Sequence, residues 1–287
     1  MRRLVLLDSH ALLHRFFHAL PPLTSPTGEP TQAIFGLCRM LLNVVNGGSA
    51  THIAGAFDRP EPTFRAQAYA DYKGQRPKTD DALITQLKRA REVFGWFSIS
   101  VFDKAGFEAD DVIGTLATRF AGESDLTIAM VSGDLDLLQL VRDRQVVVEL
   151  IKNGVTNTVA YDEAAVVSRY GLRPDQLPDY KSLVGDTSDN FPGIAGIGPK
   201  KAGELLAEFG TIEGIFENIA LVPTATADML AKGQKELALW RTLARIKTDV
   251  PIALPTLDAL AVKPLDANVL VPRFRELGFS SLAQALE

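Results

Sequence analysis

Residues 3–8 read Arg3-Leu4-Val5-Leu6-Leu7-Asp8, a short apolar run that ends in a carboxylate. Similar runs cover Thr51–Phe57 and Leu126–Ser132, and Asp58 and Asp134 follow them closely. Short runs rich in Leu, Val and Ile predict buried strands of a parallel sheet. An open parallel sheet binds its ligand at the carboxyl ends of its strands. We therefore expect these acids to lie close together at one end of a sheet.

The first 160 or so residues alternate such runs with amphipathic segments, which predicts an α/β fold with a mainly parallel central sheet flanked by helices. Helix signals predominate afterwards, so we expect an α/β core over residues 1–172 and a helical lobe over residues 173–287. The predicted helices cover Ala11–Ala19, Thr31–Val45, Thr63–Tyr72, Asp81–Phe94, Ala109–Phe120, Asp134–Leu140, Asp162–Tyr170, Pro174–Val184 and Thr224–Ile246.

The composition, 46% hydrophobic and 23% charged over 287 residues, is ordinary for a globular protein. The single cysteine, Cys38, excludes an intramolecular disulfide framework and fits a reducing compartment. The apolar run behind Arg2 and Arg3 is too short for a signal peptide, and no run approaches the roughly 20 residues of a membrane helix. We expect a cytoplasmic protein with no membrane contact.

Nine acidic residues form a spaced series along the chain. Without them the net charge of −5 would be positive, so the acidity of the chain can be local to this series. Two like charges about 4 Å apart repel by about 4 kcal/mol at an effective dielectric near 20, so converging acids need cations. Mg²⁺ prefers oxygen ligands, and a pair of such ions can hydrolyse a phosphodiester. Each acid alone could equally cap a helix. The candidate metal ligands are Asp8, Asp58, Glu108, Asp110, Asp111, Asp134, Asp136, Asp186 and Asp189.

A glycine-rich turn over Asp186–Lys201 joins two of these acids to a pair of lysines at the start of a predicted helix. Free amides at a helix N-terminus bind phosphate, and lysines add charge. A plain connection between two helices is the alternative. The glycine spacing and the lack of a preceding strand exclude a dinucleotide-binding motif. The candidate DNA-binding residues are Gly193, Gly196, Ile197, Gly198, Lys200 and Lys201.

These motifs in this order resemble the 5′-nuclease domain of bacterial DNA polymerase I and its free-standing flap-endonuclease relatives, almost end to end. The resemblance rests on Asp8, Asp58, Tyr72-Lys73-Gly-Gln-Arg76-Pro77, Glu108-Ala-Asp110-Asp111, Ser132-Gly-Asp134-Leu-Asp136 and Gly185-Asp186-Thr-Ser-Asp189 through Gly198. It implies a 5′→3′ exonuclease and flap endonuclease with two or more Mg²⁺ or Mn²⁺ ions. It also implies a helical arch at about residues 60–82 and a helix–three-turn–helix element at about residues 183–209.

The resemblance also gives roles to individual residues. Lys73 and Arg76 would contact the scissile phosphate from the base of the arch, and Tyr72 would stack on a base near the cut. Carbonyls of the Gly196–Gly198 turn would hold a K⁺ ion. The implied substrate is DNA with a 5′ flap or 5′ end at a duplex junction, and a fused or separate DNA polymerase is an implied partner. The proline-rich stretch after Asp58 departs from the usual entry to the arch.

Two other functions stay open from the residues. A phosphatase with Asp8 as nucleophile lacks the second acid that such enzymes normally carry two positions on. A non-catalytic protein that binds DNA junctions would keep the hairpin without needing the acids. His10, His14 and His18 share one helix face at zinc-binding spacing, but we expect surface or duplex-facing residues. Nothing follows Glu287, so we expect a free-standing nuclease or an excised domain, and a monomer.

Overall fold

The computed structural model describes residues 2–153 and 157–287, so residues 1 and 154–156 of the expected core lie outside the described part. Its six strands form one sheet in the order β3-β2-β1-β4-β5-β6, and only β6 runs antiparallel to its neighbour. The prediction of a mainly parallel sheet flanked by helices is confirmed. The strands are β1 Arg2–Asp8, β2 His52–Ala56, β3 Ser100–Phe102, β4 Leu126–Ser132, β5 Val146–Asn153 and β6 Asn157–Tyr161.

Twelve α-helices surround or extend this sheet within the described residues. They are α1 Ser9–Ala19, α2 Gln32–Asn46, α3 Phe64–Ala68, α4 Asp81–Trp96, α5 Ala109–Phe120, α6 Glu163–Tyr170, α7 Leu177–Val184, α8 Pro199–Phe209, α9 Ile212–Glu217, α10 Thr224–Ala244, α11 Ala267–Glu276 and α12 Ser280–Gln284. Short 3-10 helices cover Asp136–Leu140, Pro174–Gln176, Ile219–Leu221 and Asp258–Leu260.

The sheet carries a hydrophobic core on each face because successive strand residues point to opposite sides. On one face Val5 and Leu7 pack with residues of α1, α2 and α4. On the other face Leu4 and Leu6 pack with α5 and with the 3-10 helix Asp136–Leu140. A third core joins α7, α8, α9 and α10 into a helical lobe. The burial of β1 on both faces explains its uninterrupted apolar sequence.

The chain from residue 246 onward departs from the expected division at residue 172. Leu270 and Phe274 of α11 and Leu282 of α12 belong to the core beside α1, α2 and α4. Ile246 and Val250 pack in the core on the opposite face of the sheet. The last part of the expected lobe over residues 173–287 therefore packs with the α/β core, because a chain can return to its first core and sequence order alone does not show this.

Two predicted helices differ from the structure near the functional residues. The helix expected over Thr63–Tyr72 ends at Ala68, because Tyr69 is extended and Lys73 adopts a positive φ of 55°. The expected arch at residues 60–82 therefore contains one short complete helix, α3, followed by turns. The helix expected over Asp134–Leu140 is a 3-10 helix that begins at Asp136. Both differences place backbone turns beside the acids.

Candidate active site

The ends of β1 and β4 meet where the strand order reverses, the point at which an open α/β sheet forms its ligand crevice. Asp8 ends β1 and caps α1, because its Oδ1 accepts the Ala11 backbone N–H at 3.1 Å. The Ser132 hydroxyl at the end of β4 donates to Asp8 Oδ2 at 2.6 Å. The same hydroxyl accepts the Asp134 backbone N–H at 3.0 Å. One serine therefore fixes the first two acids of the site.

A cavity of about 540 Å³ opens at this point, and it brings together acids from four separate parts of the chain. Their positions follow from strand ends and from the first turn of α5, whose capping residue is Glu108. Asp58 lies at the rim, where its Oδ1 accepts the Ala109 backbone N–H at 2.6 Å. The acids that line the cavity are Asp8, Asp58, Glu108, Asp110 and Asp134.

Three of these acids, Asp8, Asp110 and Asp134, form no ion pair with any residue in the described part of the chain, and we call them the unpaired trio. Burial, the charge of Asp58 and that of Asp134 raise the pKa of Asp8 to about 7. Burial and the charge of Asp136 raise the pKa of Asp134 to about 6. The pKa of Asp110 is raised well above its ordinary value, by burial and then by the charge of Asp8.

The unpaired trio fits a divalent cation. The Oδ1 atom of Asp110 is buried and accepts no hydrogen bond from the residues that the structure describes. A buried charged oxygen without a partner is costly, and proteins normally satisfy such atoms with hydrogen bonds or ions. Carboxylate oxygens are also the ligands that Mg²⁺ and Mn²⁺ prefer. The donor set and its unmet electrostatic demand therefore match a hard divalent ion.

A second group of acids, Asp136, Asp186 and Asp189, lies beside the first, and we call it the paired trio. One carboxylate oxygen from each of the three lies within 4.8 Å of the others, close enough to hold a metal ion. The Lys181 ammonium donates to Asp136 and, at 2.7 Å, to Asp186 Oδ2. Burial opposes ionisation of Asp186, but the Lys181 charge and the Ser188 hydrogen bond outweigh it and lower the pKa of Asp186 to about 2.

Lys73 and Arg76 extend from the turns after α3 onto the acids. The Lys73 ammonium donates to Glu108 Oε1 at 2.7 Å, and its Nζ lies 4.0 Å from Asp189 Oδ1. Arg76 Nη2 donates to Asp189 Oδ1 at 3.1 Å. The Lys73 backbone N–H also donates to the Asp189 carbonyl at 3.0 Å, which fastens the turn to the loop after α7. Both basic residues therefore contact acids of the site.

Tyr72 does not stand free for base stacking as expected. Its ring is 7% exposed and packs with Phe191 and Trp240 in a small core. Its hydroxyl lies 3.2 Å from Glu108 Oε2 and 3.1 Å from Asp189 Oδ2, and can donate to one of them at a time. Its polar contacts and its apolar neighbours fix the ring in place. Tyr72 therefore holds two acids in position, and its aromatic face is covered by protein.

Asp111 also lies apart from the site, although it belongs to the same motif as Asp110. It is fully buried, and both of its carboxylate oxygens accept hydrogen bonds from Arg65, at 2.7 and 2.8 Å. Its oxygens also accept the backbone N–H groups of Glu108 and Lys247. With these four donors Asp111 has no free direction for a metal. The expectation that Asp111 is a metal ligand is corrected to a structural role.

The glycine-rich segment forms a tight hairpin between α7 and α8. Asp186 and Phe191 pair through two backbone hydrogen bonds of 2.9 and 3.0 Å. Gly193 has a φ of +66°, and a Cβ there would lie 2.3 Å from the Gly185 nitrogen, so no larger residue fits. Gly198 caps α8, and Pro199 opens it. The expected turn residues therefore lie in the hairpin that leads from α7 into α8, with Gly193 packed against the end of α7.

The two lysines of this hairpin differ in their surroundings. Lys200 is largely exposed, and its Nζ lies 3.9 Å from Glu204. The Lys201 ammonium folds back and donates to the Gly196 carbonyl at 3.1 Å. That carbonyl was one of the expected K⁺ ligands. A K⁺ ion there would have to displace the Lys201 ammonium first.

The histidine row, which the sequence placed on the surface or toward a duplex, lines the same cavity as the acids. His10 Nδ1 lies 3.7 Å from Asp58 Oδ2, and the His10 and His14 rings lie 5.0 Å apart. Burial and the neighbouring histidines lower the pKa of His14 to about 4, which makes its ring neutral at pH 7. The row is therefore a wall of the acidic cavity.

Sequence reasoning missed Arg65, Lys181 and Arg15. Arg65 is buried and Lys181 is partly buried, and both pair with acids of the motifs. Arg15 lines the cavity beside His14. The acidic motifs themselves contain no basic residue, and buried acids need partners from elsewhere in the chain. This lack predicts that such cations exist. Nothing in the spacing identifies which basic residues those are.

Two family models match the chain in succession. The model described as "5'-3' exonuclease, N-terminal resolvase-like domain" covers residues 3–171, and "5'-3' exonuclease, C-terminal SAM fold" covers residues 172–268. The chain is 35% identical to a 5'-3' exonuclease of Aquifex aeolicus, over 100% of this chain and 96% of that protein. It is 38% identical to DNA polymerase I of Bacillus caldotenax over 100% of this chain, but it spans only 32% of that protein.

Solved structures share the same fold. The T5 D15 protein co-crystallised with metal ions aligns with a TM-score of 0.72 and 21% identity, over 100% of both chains. The catalytic core of Rad2 in complex with DNA substrate aligns with a TM-score of 0.65 and 15% identity, over 100% of this chain and 93% of that one. No helix in the described residues has the length and apolarity to cross a membrane. On the two family models and the Aquifex relative, the chain belongs to the 5′-3′ exonuclease family of nucleases.

Proposed function

We propose that this chain hydrolyses phosphodiester bonds of DNA near single-strand/duplex junctions, as a divalent-metal-dependent 5′→3′ exonuclease and flap endonuclease. The observation that carries the proposal is the pair of acidic trios at the ends of β1 and β4. One trio lacks any paired cation among the described residues, and the other holds three oxygens within 4.8 Å. An acid cluster of this size raises the free energy of the folded protein unless cations bind to it.

The proposed metal ligands divide into two positions. Asp8, Asp110 and Asp134 would hold the first ion, with Asp58 and Glu108 beside it. Asp136, Asp186 and Asp189 would hold the second. We propose Mg²⁺ or Mn²⁺, because all of these donors are carboxylate oxygens. Two such ions, when bound, activate a water and stabilise the leaving oxygen of the phosphodiester. Asp111 is left out of the set because Arg65 and two backbone amides occupy its oxygens.

We propose that Lys73 and Arg76 bind the scissile phosphate. In the free protein their charged groups contact Glu108 and Asp189, at 2.7 and 3.1 Å. A phosphate entering the cavity would offer them a second anion, while cations on the acids would weaken the existing ion pairs. Burial would lower the pKa of Lys73, but Glu108 and Asp189 outweigh it and raise that pKa, which keeps the ammonium charged. Both residues would therefore position the phosphate and balance its charge.

We propose that the hairpin grips the duplex through its backbone. The start of α8 is the positive end of the helix dipole, where a phosphate binds without base recognition. Lys200 is exposed beside them and adds a positive charge. Gly193, Gly196, Ile197 and Gly198 would let a strand approach closely. A K⁺ ion would bind the Gly196 carbonyl only in competition with the Lys201 ammonium.

The structural relatives support DNA as the substrate. One is a T5 flap endonuclease pseudo-enzyme-product complex with DNA and metal ions, and another is the Rad2 core with DNA substrate. Because sequence relatives include DNA polymerase I of several bacteria, we propose that this nuclease acts beside a DNA polymerase in replication and repair. The nucleoid would then be its place of action in the cell.

The test is cleavage of a labelled 5′-flap DNA with Mg²⁺ and with EDTA. We expect cleavage only with the metal, and none above background for Asp134→Ala or Asp186→Ala. Asp175→Ala is the matched control, since Asp175 is exposed and pairs only with Arg173 outside the site. Full activity of both site variants would reject the mechanism. Binding of the flap without turnover in the intact protein would favour the non-catalytic junction-binding alternative.

The phosphatase alternative has less support in the structure. Both oxygens of Asp8 already accept hydrogen bonds, from Ala11 and from Ser132. A nucleophilic carboxylate needs one oxygen directed at the substrate. Trapping of a phosphorylated Asp8 would nevertheless favour that alternative over the nuclease.

A further inference from the structure

Lys181 lies among the oxygen atoms that the proposed function assigns to a metal. It belongs to α7, and its ammonium contacts one carboxylate oxygen of Asp136 and, at 2.7 Å, Oδ2 of Asp186. These two acids and Asp189 are the ones whose ligand atoms lie within 4.8 Å of one another. The position that a second divalent ion would take is therefore bordered by a positive charge that belongs to the protein.

The ammonium is held firmly and stays charged. The Lys181 side chain is 22% exposed, and its two partners are 20% and 13% exposed, so water screens the ion pairs only in part. Burial would lower the pKa of Lys181, but the charges of Asp136 and Asp186 outweigh it and raise that pKa. Lys181 and Arg76 together compensate only two of the three carboxylates. The paired trio with Lys181 therefore keeps a net negative charge that still attracts a divalent ion.

Lys181 differs from the other basic residues that touch these acids. Lys73 and Arg76 reach the site from the turns after α3, where a phosphate is proposed to bind. Lys181 comes from a different element, the helix whose end leads into the glycine hairpin. Among the described residues, its ion pairs are those with Asp136 and Asp186, and its charge also acts on Asp134 of the cavity. No part of the proposed phosphate binding needs it.

We propose that Lys181 is a tethered counter-ion that competes with the second divalent ion for Asp136 and Asp186. Without metal, its ammonium balances part of the charge of Asp136 and Asp186 and holds both side chains in place. When the ion binds, the ammonium gives up at least one of these oxygens, so Lys181 lowers the affinity of the second position. This inference rests on the proposed metal positions but not on the proposed cleavage.

The test measures Mn²⁺ binding to the DNA-free protein. Calorimetry and the paramagnetic resonance signal of free Mn²⁺ both report this binding. Lys181→Met removes the charge and keeps most of the side-chain volume. We expect its weaker Mn²⁺ position to bind about tenfold or more tightly than in the wild type, the scale of neighbouring-residue effects on metal sites. Lys181→Arg keeps the charge, and we expect it to stay close to the wild type.

Arg241→Met is the matched control. Arg241 is also a partly buried cation that pairs with an acid of α7, at 2.6 Å from Asp179, but that acid is outside both trios. We expect its Mn²⁺ affinities to equal those of the wild type. Unchanged or weaker Mn²⁺ binding in Lys181→Met would overturn the proposal. Absence of Mn²⁺ binding in the wild type and all variants would instead remove the proposed metal-dependent function itself.

A measurement on the wild type covers the case in which Lys181→Met does not fold. Reductive methylation followed by mass spectrometry reports how accessible each lysine ammonium is. We expect saturating Mg²⁺ to increase methylation of Lys181 severalfold, because the ion displaces the ammonium from the acids. Lys200, exposed and distant from the trios, serves as the internal reference and should not change. Equal Lys181 methylation with Mg²⁺ and with EDTA would contradict the exchange.

Discussion

The unpaired and the paired trio each consist of three aspartates, yet their surroundings differ. Asp8, Asp110 and Asp134 have no ion-pair partner among the described residues, and their pKa values are raised. In the paired trio, Lys181 and Arg76 contact the acids; the pKa of Asp186 is lowered to about 2, whereas burial raises the pKa of Asp189. The charge of the first trio is thus uncompensated without metal, whereas basic residues of the protein partly compensate the charge of the second. Two neighbouring ion positions can therefore differ in how much a bound ion stabilises the folded protein.

The largest expected effect is on cleavage. Asp110→Asn should lower the rate on a 5′-flap substrate by more than about 100-fold, since misplacing reacting groups by 1 Å already has an effect of that size. Asp189→Asn should have a smaller effect, because the other two acids of its trio remain close together. Single-turnover rates at saturating Mg²⁺ measure both. A larger loss in Asp189→Asn would reverse the proposed order of the two trios.

Removing a buried partner of an acid tests stability instead of activity. Arg65→Met should lower the free energy of unfolding by about 3–5 kcal/mol, because it leaves Asp111 as a buried charge without its partner. Urea unfolding with EDTA measures this value. The double variant with Asp111→Asn should recover much of the loss. A loss below about 1 kcal/mol would show that Asp111 is not held as the structure has it.

The pH dependence of the metal-free protein tests the unpaired trio. The folded-state pKa values of Asp8 and Asp134, about 7 and about 6, lie above the ordinary 3.8. Folding is therefore opposed progressively as pH rises from about 4 to about 7. We expect the free energy of unfolding in EDTA to fall over this range by more than about 1.4 kcal/mol, the value of one pKa unit.

Two conditions sharpen this pH test. Saturating Mg²⁺ should flatten the profile, because bound ions stabilise the ionised acids. Asp8→Asn should remove part of the slope in EDTA. A metal-free protein whose stability rises steadily between pH 4 and pH 7 would show that acids with lowered pKa values dominate. The acids of the whole site would then behave like Asp186 of the paired trio, with compensated charges.

The smallest effect is expected outside both trios. Lys200→Ala should weaken binding of duplex DNA severalfold and reduce the salt dependence by about one phosphate contact. Mn²⁺ binding should not change, because Lys200 is exposed and pairs loosely with Glu204. Fluorescence anisotropy over a range of salt concentrations measures the DNA term. A change in Mn²⁺ affinity would mean that the hairpin and the acids are electrically coupled.

The sequence predicted the elements whose causes are local. Asp8 and Asp134 could be placed because each follows a buried strand, and parallel strands end on the same side of a sheet. The sheet and the hairpin follow from such patterns, but the division of the acids into two trios does not. The likeness of the whole motif order added the family, and the two family models confirm it.

The residues that sequence reasoning misplaced depend on distant partners. Asp110 and Asp111 are adjacent, but only Asp111 meets Arg65, which lies 46 residues away. Tyr72 is buried because Trp240, far along the chain, packs in the same small core. Lys181 sits in the middle of α7, and only the fold brings it to Asp136, 45 residues earlier. Spacing within a motif cannot show such contacts.

The short backbone pairing between Asp186 and Phe191 fixes the length of the loop that carries Asp186 and Asp189. The same loop continues into Gly193, whose backbone crosses Gly185 too closely for any side chain. An engineer who lengthens this segment by one residue would alter the distance between the metal ligands and the duplex contact at once. When this segment is replaced to change specificity, the whole stretch from Gly185 to Gly198 should be exchanged as a unit. Additional residues should be inserted elsewhere in the chain.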